Sequence, residues 1–163
     1  MADDTAQAQQ TERDDALRRL NRATVEKYMR TGGQARLERY TLFTEDGSGA
    51  LFYTDIGQPI VVRGREKLKA HGVLSLKVLP DWLWIGVEIY DTQDPNRFWV
   101  ECDGEGKILF PGYPEGIYRN HFIHSFVLDD GRIEETREYT NPIEHMRALG
   151  IETPGIKRDW IPT

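Results

Sequence analysis

GIYRNHFIHSFVL, residues 116–128, decides how this chain folds. PGYPEG precedes it and DDG follows it, so turn signals bound it on both sides and it reads as a β-strand. Side chains alternate along a strand. Tyr118, Phe122, His124 and Phe126 therefore share one face, and Ile123, Ser125 and Val127 the other. Both faces are apolar. Helices can cover one, and a second copy of the chain is the simplest cover for the other, so a homodimer is expected. His121 and His124 are three residues apart and point to opposite faces, which prevents them from sharing a metal ion. Neither an HExxH motif nor a facial-triad spacing occurs elsewhere. Each histidine reads as a packed, hydrogen-bonded residue of the sheet.

Outward from this strand the pattern is a meander. WLWIGVEIYDTQ, RFWVECDG, KILF and RIEETREYTN read as further strands, separated by turns at DPN, DGEG (103–106), PGYPEG and DDG. Upstream, Leu17, Leu20, Thr24, Val25 and Tyr28 recur at helical spacing between Thr11 and Thr31, and Gly32-Gly33 stops that helix. ARLERYTLFTEDGSG reads as a short helix running into a loop. ALFYTD and QPIVVRG read as two short strands around Ile56-Gly57. The order is helices first and then a long antiparallel meander, an α+β plan with helices on one face of a curved sheet. Residues 1–10 lack periodicity and are expected as a flexible tail, with 11–163 a single domain.

A net charge of −6 offers no basic excess for nucleic acid. No apolar run is long enough to span a bilayer, and the polar, acidic N-terminus has no secretory h-region. Cys102 is the single cysteine, so neither an internal disulfide nor a cysteine metal cluster can form. The expectation is a cytoplasmic protein without a nucleic-acid or membrane partner.

Gly64 to Leu79 reads as a helix closed by Pro80. His71 and Ser75, four apart, stack on one of its faces with Leu68, Gly72, Val78 and Leu79, while Lys69 and Lys77 lie away. A histidine and a serine are thus aimed toward the sheet. Gly72 in mid-helix costs roughly 1 kcal/mol relative to alanine, which a closely approaching ligand or strand would explain. A core histidine with a serine bonded back to its helix fits the same pattern. A partner carboxylate could come from Glu134, Glu135 or Glu138 on the last strand. Glu134, Thr136 and Glu138 share one face and Glu135, Arg137 and Tyr139 the other. Neither face is apolar, so periodicity does not choose between them. Trp82, Trp84 and Trp99 suit a pocket wall or the core, and Arg39 and Arg119 suit an anionic ligand or the surface.

RYTLFTEDG (39–47), RGREKL (63–68) followed by His71 and Ser75, DPNRFWVECDGEGKILFPGYPEGIYRNHFIHSF (94–126) and ALGIETPGIKRDWIPT (148–163) together closely resemble the phenazine-biosynthesis A/B proteins. The resemblance implies a ketosteroid-isomerase-like, cone-shaped curved sheet whose helices enclose a pocket, in a dimer that could also pair with a paralogue. It implies a reaction: two molecules of 6-amino-5-oxocyclohex-2-ene-1-carboxylate condense head to tail, amine to ketone, twice, with loss of two waters, to a tricyclic phenazine precursor. It implies no metal or organic cofactor. It places the catalytic acid on Glu138 and the catalytic histidine on His71, and puts Ser75, Tyr118, Arg39 and Trp82 at pocket positions. Some paralogues lack the acid and are thought inactive; this chain keeps both groups. A binder that shields the intermediate, or another cone-fold enzyme such as an isomerase or cyclase, are the competing expectations.

Overall fold

The computed structural model describes residues 2–162; Met1 and Thr163, the ends of the expected tail and domain, lie outside the described residues. Three α-helices, α1 (Ala2–Arg30), α2 (Arg65–Val78) and α3 (Pro142–Ala148), and a 3-10 helix (Gly33–Leu42) accompany six strands: β1 (Phe43–Leu51), β2 (Ile60–Arg63), β3 (Leu83–Asp91), β4 (Arg97–Ile108), β5 (Gly116–Asp129) and β6 (Arg132–Thr140). They form one sheet in the order β2-β1-β6-β5-β4-β3. The meander from β3 to β6 is antiparallel as expected, but β1 joins it in parallel with β6.

The decisive strand behaves as its pattern requires. Along β5, Tyr118, Asn120, Phe122, His124, Phe126 and Leu128 are buried, and Ile117, Arg119, His121 and Ile123 are exposed. The two histidines lie on opposite faces. The inner face packs Phe98, Val100 and Cys102 of β4 against Val25, Tyr28 and Met29 of α1. Asn21, fully buried, fixes α1 over the sheet. It donates to the Pro95 carbonyl at 3.0 Å and accepts from the Gly131 amide at 2.8 Å, tying the helix to two hairpin loops.

Three local expectations are corrected. TEDGSG, expected as a loop, is most of β1. Gly47 is required by packing, since a β-carbon there would lie 2.8 Å from the Ile133 carbonyl. DGEG is no turn but the interior of β4, paired throughout with β5, and KILF is not a separate strand. Gly104 is needed because Trp82 lies across it: a β-carbon there would meet Trp82 Cζ2 at 2.2 Å. Finally, α1 begins at Ala2 and not near Thr11. Residues 5–10 are exposed, so their helicity rests on alanine and glutamine propensity and on local bonds such as Gln10 Nε2 to Asp14 Oδ1 at 2.8 Å.

Bulges bend the sheet. One breaks the register of β3 between Ile85 and Glu88, where Gly86 has φ 61°, and another lies where Val127 pairs with Glu135 but Leu128 with Ile133. The second leaves Glu134 as the extra residue and turns Thr136, Glu138 and Thr140 to the inner face. α3 is capped by Asn141, whose Oδ1 accepts from the Ile143 amide at 3.0 Å, with Pro142 in the first turn. It carries His145 over Tyr118, the ring centres 5.2 Å apart, and closes the narrow end.

Candidate active site

Glu138 sits on β6 in the middle of the sheet, opposite Leu51 on one side and His124 on the other. Its carbonyl accepts from the Phe52 amide at 2.8 Å, so the backbone beneath the carboxyl is held from both sides. The side chain is 27% accessible, so packing does not seal the carboxyl off completely. Burial pushes its pKa up to about 7, against the opposing pull of Arg39. A carboxyl in that state can give a proton near neutral pH and take it back.

Around it lie groups held neutral by the same burial. His124, pushed down to about 3 by burial and then by Arg39, carries no charge at working pH. Tyr28 and Cys102 are each pushed up to about 12, chiefly by burial, so the phenol and the thiol keep their protons. The Tyr118 hydroxyl is also raised by burial, and accepts from Asn120 Nδ2 at 2.9 Å. Arg39 is the positive charge at this site. Its guanidinium lies 4.4 Å over the Tyr28 ring and donates to Thr31 Oγ1 at 2.7 Å and to the Thr31 carbonyl at 2.8 Å. Its charge reaches Tyr28, His71, His124 and Glu138.

The residues singled out in the sequence are only partly brought together. Glu138, Arg39 and Tyr118 belong to one electrostatic cluster. His71 lies on the flank of α2 and is exposed, with its pKa lowered first by partial burial of its ring and then by Arg39. Among the described residues no hydrogen bond joins it to Glu138. Ser75 accepts from Arg36 Nη1 at 3.3 Å rather than bonding back to its helix. The close neighbour of Gly72 is the Arg36 carbonyl of the 3-10 helix, not a strand. Trp82 is core: it stacks on Tyr118 at 5.1 Å and meets Phe122 and Trp84 edge-on. Arg119 is on the outer face, paired with Glu105 at 2.9 Å.

Three inner-face residues carry polar atoms with no hydrogen-bond partner: Trp84 Nε1, both ring nitrogens of His124 and Thr136 Oγ1. Buried polar atoms are rarely left so; His124 is the register partner of Glu138, Thr136 lies two residues from it on β6, and Trp84 meets the His124 ring edge-on. The hydrogen bond expected of His124 within the sheet is thus not formed in this structure. Its signal was visible in the strand pattern, which places it between Phe122 and Phe126 on the buried face. No group of three or more histidine, cysteine, aspartate or glutamate side chains among the described residues is arranged to hold a metal ion.

A curved sheet wrapped on helices, with a protonatable carboxyl and unpaired polar atoms on its concave face, is a ketosteroid-isomerase-like cone. A Catenulispora acidiphila protein described as having that fold superposes with a TM-score of 0.60 at 18% identity, over 75% of this chain and 89% of the other. The whole chain, residues 1–163, matches the family described as phenazine biosynthesis protein A/B, and it belongs to that family. It is 60% identical over 162 residues to the phenazine biosynthesis protein PhzB of Pseudomonas fluorescens, covering 99% of each chain. The crystal structure of a phenazine biosynthesis-related protein from Pseudomonas aeruginosa superposes with a TM-score of 0.92 at 59% identity, over 94% of this chain and 99% of that one.

Proposed function

We propose that this protein condenses two molecules of 6-amino-5-oxocyclohex-2-ene-1-carboxylate, amine to ketone at both ends, into a tricyclic phenazine precursor. At each junction the amine nitrogen attacks the ketone carbon. The carbonyl oxygen leaves as water with the two amine protons, and a C=N bond remains. Glu138, as the neutral acid, protonates the departing hydroxyl. His71, neutral because burial and Arg39 lower it, accepts the proton that the attacking amine loses. Arg39 supplies positive charge for a substrate carboxylate. Tyr118 and the indole of Trp84, with Trp82 packed behind them in the core, give flat apolar walls for a flat product. Holding two identical substrates head to tail supplies much of the acceleration.

The observation that carries this reading is Glu138: a carboxyl on the concave face, accessible to a ligand, with its pKa raised to about 7. The test is the rate of tricycle formation from freshly generated amino-ketone, with and without protein, since amines and ketones also condense unaided. Acceleration that is lost in Glu138→Gln and reduced in His71→Ala supports a condensing enzyme. Full activity in a folded Glu138→Gln overturns the role of Glu138. No acceleration in a protein that still binds the tricycle makes it a shield for the intermediate.

Two copies pair through the outer face of the sheet in this reading, either as a homodimer or with a paralogue. That face exposes Trp99 at 45%, Ile85 at 44% and Ile123 at 41%, around a shallow concavity that includes Tyr53 and Tyr139. No helix among the described residues is long and apolar enough to cross a membrane.

A further inference from the structure

His124 is fully buried, yet neither of its ring nitrogens has a hydrogen-bond partner. Packing alone gives no reason for an imidazole there. Phe122 and Phe126 stack on its two sides, with ring centres 5.9 and 6.2 Å away, and a third phenylalanine would continue the row. Trp84 closes on it edge-to-face at 4.8 Å, which keeps the ring from turning away. What distinguishes the position is its opposite number. His124 and Glu138 are register partners across β5 and β6, and His124 Nδ1 lies 3.8 Å from Glu138 Oε1.

We infer that His124 is a positioning residue for Glu138: its Nδ1–H donates to Oε1 and leaves Oε2 to present the transferable proton to a ligand. A small rotation of the Glu138 side chain closes the pair to bonding distance; such contacts are commonly long in ligand-free sites. The other tautomer would bind the acid's proton to Nδ1 and withhold it from a ligand. Burial makes His124 suitable, because it stays neutral and so adds a directed bond without adding a charge. The charge that bears on Glu138 is Arg39 from the 3-10 helix, which also reaches His71 of α2; Glu138 in turn acts on Tyr28 from α1, Tyr118 from β5 and Cys102 from β4. Tyr28 and Cys102 keep their protons. His124 is therefore the neutral register partner whose removal takes away a hydrogen-bond donor without removing a charge.

The inference rests on Glu138 as the acid of the proposed reaction, but its test does not need the reaction. The Glu138 carboxyl is titrated in ligand-free protein by isotope-edited infrared difference against Glu138→Gln. The His124 tautomer is read from nitrogen-15 shifts in the unaltered protein. We expect an Nδ1–H tautomer. We expect the carboxyl to titrate about one pH unit higher in His124→Phe, tenfold in proton affinity, and to return most of the way in His124→Asn, whose amide donates from a similar place. A bare Nδ1 overturns the inference, as does a carboxyl titration that is unmoved or lowered in His124→Phe. Should His124→Phe not fold, the tautomer and the His124→Asn titration still decide. Full activity in Glu138→Gln would remove the acid role and leave both spectroscopic results standing.

Discussion

Glu138 and His124 face each other across adjacent strands, and burial drives their pKa values in opposite directions, to about 7 and about 3. Folded protein therefore binds more protons at Glu138 than unfolded chain between about 4.5 and 7, and that contribution to stability falls as pH rises. At His124 the folded protein binds fewer between about 3 and 6.5, so its contribution rises with pH and is lost on acidification. The two nearly cancel where the windows overlap. We expect a stability plateau from about pH 4.5 to 6.5, with losses on either side. Urea midpoints across pH 3 to 8 check this: His124→Phe should remove the acid-side loss. Glu138→Gln should be more stable than the parent at pH 8, by up to about 3 kcal/mol.

In the proposed reaction the same raised carboxyl would set the pH dependence. A general acid must be protonated, so kcat/KM should fall above about pH 7 as Glu138 ionises. Glu138→Gln should lower the rate by roughly 10²–10⁴-fold and abolish that descending limb. A limb that persists in the variant would belong to another group.

Trp82 across Gly104 gives a test of the narrow end. Gly104→Ala should destabilise by roughly 1–3 kcal/mol through overpacking, because the ring that must give way is itself wedged against Tyr118 and Phe122. Adding Trp82→Leu to Gly104→Ala should cost less than the sum of the two single changes, since each relieves the other. Denaturant titration of the three variants measures the coupling.

Sedimentation should find two copies of the chain together. Trp99→Arg and Ile123→Arg, each placing a charge on the exposed apolar face of the sheet, should each yield monomer while the chain stays folded. A parent that sediments as monomer at micromolar concentration would remove the dimer from the proposal.

β5 was legible in the sequence because nothing interrupts its alternation. β6 was not, for a definite reason. Ile133 and Thr136 are three residues apart and both buried, which strict alternation forbids. The extra residue Glu134 resets the pleat, so counting from Ile133 puts Tyr139 inside when it is Glu138 that turns in. The resemblance of the longer motifs chose Glu138 where period could not. β1 was hidden because its glycines and acidic residues imitate a loop, and its partner β6 lies far along the chain. At DGEG the local turn signal was genuine, but the demand came from Trp82, more than twenty residues upstream. His124 was seen on the correct face, while its missing hydrogen bonds could appear only in three dimensions.

The parallel pairing of β1 with β6 also sets an order of assembly. Phe43 is among the early residues to leave the ribosome, and its register partner is Ile133. Until β6 emerges, a nascent chain holds β1 with one open flank and β5 with another, and the floor beneath Glu138 does not exist. Translation that stalls after β5 leaves two unpaired strand edges exposed in one chain, the form most prone to aggregate. The strand that carries Glu138 is thus also the one that joins β1 to the meander and closes the sheet.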